Sequence, residues 1–337
     1  VARDVVVGGL GPGRLTRPGK RLDAAAPGRW HGAVPVPRMH DDEVEVDEAL
    51  VRGLLRTQLP ELADRPLARV EAWGTDHAIF RLGDDLSVRL PKIGWAAAQG
   101  ETESRWLPRL APYVPVSVPV PVAVGSPGEG YPYRWYVSPW LPGTNPTAAD
   151  RGWVAADLAA FVRALQAVDA TGGRPVPDGR RGAPLAAADE AAREPAEALR
   201  RQGGAPGGPD VDALLAVWDE GLHAPPWPGP PRWVHGDLSE GNLVVRDGRL
   251  AGVIDWGSVG VGDPAVDLMI GWGYFDAASR AAYFEALGFV DEATRLRGRA
   301  WAVSSALQAL PYYRDTNPVI VARSLRAVRE ILAEDGT

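Results

Sequence analysis

The sequence predicts an α+β protein in two lobes: a small, mainly antiparallel sheet lobe, then a larger, mostly helical one. At 337 residues the chain can bury a large core, and that length favours two lobes over one. Residues 39–141 carry short strand-like pieces punctuated by turns. From Pro142-Gly143 onward, residues 142–337 turn to Ala- and Leu-rich stretches at helical spacing.

Residues 1–38 stand apart, rich in Gly, Pro and Arg without lasting periodicity, and read as a disordered extension ahead of Met39. Within them, Val5-Val6-Val7 and GGLGPG look like a strand entering a phosphate-binding loop. Such a loop needs a helix next, and Pro18 and Gly19 stand where it would run. Asp47 is placed to N-cap a helix reaching about Leu59. Its Leu50, Val51, Leu54 and Leu55 keep helical spacing, and Pro60 ends it. Strands are expected at 69–73, 78–82 and 86–90, with Gly83-Asp84-Asp85 turning the last two into a hairpin. A helix over 96–107 and a proline-laced stretch lead to strands near 119–124 and 133–138. Helices follow near 150–168, 185–201 and 210–220, separated by Gly/Pro clusters at 171–184 and 203–209. Two short strands, 243–245 and 250–254, join through Asp247-Gly248, and helices fill most of 264–333.

The net charge of −7 argues against nucleic acid as the main partner and fits a cationic ligand. The absence of cysteine excludes disulfides, thiol nucleophiles and cysteine zinc sites. No apolar run reaches 18 residues, so no membrane span is expected, and a cytoplasmic protein is the default. The sequence carries no signal for oligomeric state.

The stretch from Trp233 to Gly257, WVHGDLSEGNLVVRDGRLAGVIDWG, holds the chemistry. It reads as an apolar strand, a polar loop, a hairpin, then a carboxylate just past a buried strand. The loop offers Asp237 and Asn242 five positions apart, and the hairpin can return Asp255 to the same place. Two carboxylates and an amide are hard oxygen donors that suit Mg²⁺, which completes its shell with phosphate and water. Phosphoryl transfer needs this combination: charge neutralised at the phosphate oxygens and an acceptor hydroxyl held for attack.

The order H-G-D-x-x-x-x-N then I-D-W-G resembles the aminoglycoside phosphotransferase family, small-molecule kinases related to protein kinases, over roughly residues 44–335. RLGDDLSVRLP, ETESRWLPRLAP and GVGDPAVDL add to the likeness. The resemblance implies a two-lobed protein-kinase-like fold that binds ATP or GTP with Mg²⁺ between its lobes and phosphorylates a small hydroxylated acceptor. An aminoglycoside-like compound or amino sugar is the favoured acceptor. It further implies Asp237 as catalytic base, Asn242 and Asp255 as metal ligands, and His235 in a structural role. Arg89 stands where kinases carry a phosphate-gripping lysine, with Glu103 as its ion-pair partner and Lys92 as a nearby alternative. Thr75, in the turn Gly74–Ala78, would lie over the phosphates. Ser138 and Trp140 belong to a hinge, Ser138–Leu141, whose main chain would hold the purine.

Blander readings accompany these. Asp237 and Asn242 can cap turns, and Asp255 can end a strand. Asp263 is a natural N-cap beside Pro264, and both it and Asp267 read as structural. Trp272, Tyr274, Tyr312 and Tyr313 are candidates for an acceptor pocket. Asp189, Glu190 and Glu194 form either an exposed helix face or a contact for ligand amines. Other readings of the whole are a kinase of another metabolite or macrolide, and a catalytically silent binding module of the same fold.

Overall fold

A computed structural model describes residues 43–70, 76–201 and 208–334. The expected extension 1–38 and Thr75 lie outside the described residues.

The first lobe opens with α1 (Glu48–Gln58), where the Asp47 carboxylate accepts from the Leu50 amide at 2.7 Å. That cap satisfies a donor the helix cannot pair internally. Strands β1 (Leu67–Arg69), β2 (His77–Leu82) and β3 (Leu86–Pro91) follow, and α2 (Gly94–Leu110) separates them from β4 (Ala123–Gly125) and β5 (Trp135–Pro139). They form one antiparallel sheet in the order β1-β2-β3-β5-β4. The β2–β3 hairpin closes with Leu82 opposite Leu86, and Gly83 supplies the positive φ of 65° that the turn requires. The fourth strand starts later than its apolar pattern suggests, because Pro119 and Pro121 cannot donate to a ladder.

Period-two alternation gives this sheet two faces. Phe80, Leu82, Val88, Leu90, Trp135 and Val137 pack with Val51, Leu54 and Leu55 of α1 in one buried cluster. Arg89 and Tyr136, opposite each other on β3 and β5, turn to the other face, against α2. A Cβ at Gly100 of α2 would stand 2.0 Å from the Tyr136 ring, so the helix can lie this close only because that position is glycine. Trp106, Leu107 and Leu110 of the same helix join the core of the second lobe, so α2 belongs to both lobes.

The second lobe contains α3 (Arg151–Gln166), α4 (Asp189–Arg201) and α5 (Val211–His223), then β6 (Arg232–Val234), β7 (Leu243–Arg246), β8 (Arg249–Val253) and β9 (Gly260–Gly262). It closes with α6 (Ile270–Gly273), α7 (Ala277–Leu287), α8 (Glu292–Tyr313) and α9 (Pro318–Ala333). Buried Trp218, Trp256, Trp272 and Trp301 anchor its core. The hairpin β7–β8 has a bulge at Val244/Val245, and β6 pairs with β9. The β9 strand has no apolar run to announce it. It forms because Gly260 and Gly262 let the segment 174–182 pass at close range: a Cβ at Gly262 would meet the Gly182 carbonyl at 2.3 Å. The expected helix over 185–201 begins as a 3-10 turn, Leu185–Ala188. Asp189 accepts from Arg193 Nε at 2.8 Å and Trp218 Nε1 at 2.7 Å, so it is built into the helical packing and is no free contact for a ligand amine. Among the described residues no helix is long and apolar enough to cross a membrane.

Gly100→Ala should cost about 1–3 kcal/mol by forcing Tyr136 or α2 to move. Gly152→Ala, an exposed α3 position with nothing within 4 Å of the new methyl, should be neutral or stabilising. Denaturant melts of the two variants would check the contrast.

Candidate active site

The loop between β6 and β7 is fixed from beneath by a buried carboxylate. Asp267 accepts from the amides of His235 and Gly236, both at 2.9 Å. Gly236 takes a φ of 77°, and a Cβ there would press on the Ser258 carbonyl at 3.0 Å. The His235 ring is fully buried, 4.8 Å from the Trp256 ring. Its Nε2 lies 3.1 Å from the Ile254 carbonyl, and its Nδ1 receives the Asp237 amide at 3.3 Å. Those partners assign the proton to Nε2. Burial pushes the imidazole down to about 4, against the pull of Asp237. At neutral pH it is an uncharged brace whose one N–H is committed to the Ile254 carbonyl.

The hairpin brings the rest together. Leu243 faces Val253 across β7–β8, and the Asn242 carbonyl accepts from the Ile254 amide at 2.9 Å. Asn242 therefore sits beside the end of the strand that delivers Asp255. The Asn242 Nδ2 donates to the Asp237 carbonyl at 2.8 Å, which leaves its Oδ1 as the acceptor end of the amide. Asp255 adopts a left-handed backbone, φ 62°, unusual outside glycine. Burial pushes its carboxyl up to about 7; Arg89 opposes this, while the charges of Asp237 and Glu103 add to it.

Arg89, Glu103 and Asp255 meet at the lobe boundary. Arg89 Nη1 donates to Glu103 Oε2 at 2.7 Å, and its Nη2 lies 4.0 Å from Asp255 Oδ1. One guanidinium fork spans two carboxylates, which a single ammonium does less readily. The second oxygen of Glu103 accepts from the Trp256 amide at 2.9 Å. Glu103 thus ties the sheet lobe to the turn that carries Asp255. A Cβ at Gly257 would stand 2.7 Å from Gln99 of α2, so this turn and α2 are in close contact. Lys92 is engaged elsewhere, with Glu43 at 3.2 Å.

In the hinge, the Trp140 amide donates to the Asp85 carbonyl at 2.8 Å, and Ser138 is buried with its carbonyl accepting from the Ser87 hydroxyl at 3.2 Å. The Trp140 amide is therefore committed to the sheet and is not open to a purine. Two acceptor-pocket candidates lie in the core: Trp272 is fully buried and donates to Glu334 at 2.7 Å, and Tyr274 donates to the Thr147 carbonyl at 2.6 Å. Tyr312 is exposed. Asp263 caps the 3-10 turn Pro264–Leu268 and pairs with buried Arg297 at 2.7 Å, so it and Asp267 both hold backbone in place.

Sequence reasoning passed over one charged group. Arg181, from the Gly/Pro cluster read as a separator, pairs through Nη1 with Asp237 Oδ1. One of three arginines in a Gly/Pro-rich stretch, beside Arg174 and Arg180, offers no periodic signal, and only the tertiary fold singles it out.

The donor set fits Mg²⁺. Asp255 is a half-buried carboxylate open enough to take a ligand, and Asn242 presents an amide oxygen on the adjoining loop. Among the described residues no group of three or more His, Cys, Asp or Glu could hold a metal. Such a cation would take its remaining ligands from phosphate and water.

The two lobes, their five-stranded antiparallel sheet and the loop–hairpin site define a protein-kinase-like fold. A family model described as "Phosphotransferase enzyme family" matches residues 68–301, and the chain belongs to that family. Viomycin phosphotransferase of Streptomyces vinaceus is 38% identical over 109 residues, 28% of this chain and 35% of that protein. The uncharacterized protein YcbJ of Bacillus subtilis (strain 168) is 34% identical over 77 residues, 23% of either chain. The matched segments thus span about a third or less of these curated relatives. Among solved structures, the GDP and kanamycin complex of APH(2")-IIIa aligns with a TM-score of 0.66 at 19% identity, over 85% of this chain and 99% of that one. Macrolide 2'-phosphotransferase MphH from Brachybacterium faecium aligns with a TM-score of 0.54 at 23% identity, over 81% and 97%.

His235 yields a pH prediction. Its folded pKa of about 4 lies below the unfolded value near 6.5, so the unfolded chain takes up a proton first as pH falls. The stability it contributes is present above about pH 6.5 and is lost progressively toward pH 4, on the order of 3 kcal/mol in all. The melting-temperature gap between wild type and His235→Gln should therefore narrow as pH falls from 7 to 4. A gap that stays constant would count against a buried neutral ring.

Proposed function

We propose that this chain transfers the γ-phosphate of ATP or GTP to a hydroxyl of a small molecule, with an aminoglycoside-like amino sugar as the favoured acceptor. The observation that carries the reading is the gathering of Asp237, Asn242 and Asp255 behind the Arg89–Glu103 pair, at the boundary of the two lobes.

The residues divide the work. Asp237 accepts the proton of the acceptor hydroxyl as its oxygen bonds to the γ-phosphorus. The bond from that phosphorus to the bridging oxygen breaks, and nucleoside diphosphate leaves. General-base help of this kind is typically worth about 10²–10⁴ in rate. Asn242 Oδ1 and Asp255 would hold Mg²⁺, which when bound neutralises charge on the phosphate oxygens. Arg89, oriented by Glu103, steadies the phosphates from the sheet side. His235 and Asp267 keep the loop rigid, so that Asp237 meets the acceptor without reorganisation.

The purine belongs at the edge of β5. Because main-chain groups alternate in direction along a strand, and those of Ser138 and Trp140 serve the β3 side, the Pro139 carbonyl and Leu141 amide are directed the other way, beyond the end of β4. Those two groups suit a purine edge better than the Trp140 amide does. The nucleotide assignment is supported by related structures described as GDP and ADP complexes. The acceptor class is supported by the kanamycin and gentamicin complexes among them and by the net charge of −7. The macrolide kinases of the same fold keep a macrolide acceptor as the second reading.

A screen of ATP and GTP against kanamycin, gentamicin, streptomycin, viomycin and a macrolide, read by mass gain of one phosphate, tests the proposal. Wild type should phosphorylate at least one amino-sugar compound, and Asp237→Ala should lower that rate about 10²–10⁴-fold. Mg²⁺-dependent nucleotide binding with no transfer to any acceptor or water would point instead to a silent binding module.

A further inference from the structure

The segment from His235 to Asn242 carries no cationic side chain apart from an imidazole that burial keeps neutral, yet Asp237 has a cation on it. Arg181 comes from 56 residues upstream, and the path that brings it there is fastened at each step. Val176 donates to the Val261 carbonyl at 3.0 Å, and Val261 donates to the Arg174 carbonyl at 2.7 Å. The turn that bears Arg181 closes through the Ala183 amide and the Arg180 carbonyl at 3.0 Å. Gly182 takes a φ of 95°, and its carbonyl accepts from the Asp263 amide at 2.8 Å. Asp263 is in turn locked by buried Arg297 at 2.7 Å. A surface arginine that met Asp237 by chance would not need this support.

We propose that Arg181 is a positioning residue for phosphoryl transfer: it holds Oδ1 of Asp237 so that the second carboxylate oxygen faces the acceptor hydroxyl. The inference rests on the reading of Asp237 as the base. The contact runs through one carboxylate oxygen, Oδ1, so it fixes the carboxylate's rotation while leaving an oxygen for the proton. It also places a positive charge beside Asp237, whose negative charge is felt at Asp255. That charge offsets the repulsion between two carboxylates at one site. The competing account is an ordinary ion pair: the side chains are 28% and 33% exposed, and pairs this open contribute little to stability. The two accounts differ in kinetics, and so does their test.

A double-mutant cycle on turnover separates them. The assay is phosphate release from MgATP with water as acceptor, which needs no identified acceptor, repeated with any compound that gains phosphate in the mass screen. Arg181→Ala should lower kcat about 10–100-fold with the KM for ATP within about twofold, as expected for a misaimed base. Arg181→Lys should recover part of the loss. In the Asp237→Ala background, Arg181→Ala should have no further effect, since the two act as one unit. Arg181→Lys and Arg181→Gln carry the test if the alanine variant fails to fold. The role is overturned if Arg181→Ala turns over like wild type, if the two losses multiply, or if only the KM for ATP rises. Wild type no faster than Asp237→Ala would sink the kinase reading itself, and the positioning role with it.

Discussion

The meeting of the sheet lobe with the Asp255 turn depends on the side chain of Glu103. It is 3% exposed, and its two oxygens face two parts of the chain. One accepts from Arg89 on the sheet, and the other from the amide of Trp256, next to Asp255. A buried carboxylate without partners would be costly, so the fold must keep both donors in place. Keeping them there fixes where the α2 helix, the β3 strand and the Asp255 turn meet.

Other features follow from that constraint. The α2 helix must approach the sheet closely enough for Glu103 to reach Arg89, and Gly100 admits the Tyr136 ring at that distance. It must also approach the 255–257 turn, where Gly257 lies against Gln99. With Trp256 N–H turned to Glu103 and its indole anchored on the Val253 carbonyl at 2.9 Å, Asp255 is left in a left-handed conformation. Its raised carboxyl pKa is the electrostatic counterpart of that placement: desolvation by the surrounding protein and the charges of Asp237 and Glu103 outweigh the pull of Arg89. The Asp237 loop is braced by Asp267 below and His235 behind, and His235 joins it to the Asp255 turn through the Ile254 carbonyl and the Trp256 ring.

Much of this was legible in the sequence where the signal was local. Asp47 and Pro60 bracket α1, and Gly83 marks the β2–β3 turn. The loop Asp237–Asn242 and Asp255 could be brought together from sequence because a short hairpin between them leaves few ways to fold back. What depended on distant packing was not legible. Lys92 looked able to replace Arg89 until its partner Glu43, 49 residues away, was in place. Trp272 and Tyr274 have the chemistry of pocket residues, and only burial shows that they are core. The β9 strand is a pair of glycines around one valine, and it exists because the segment 174–182 runs beside it. Trp140 sits in the expected hinge, but strand alternation turns its amide toward Asp85.

Glu103 joins β3, through Arg89, to the turn that carries Asp255. Calorimetric titration of wild type and Glu103→Ala with ATP, in the presence and absence of Mg²⁺, addresses this most directly. The account predicts that loss of both contacts weakens Mg²⁺-dependent ATP binding by at least about tenfold, the equivalent of one hydrogen bond to a charged group. A folded Glu103→Ala protein that bound MgATP as tightly as wild type would contradict it.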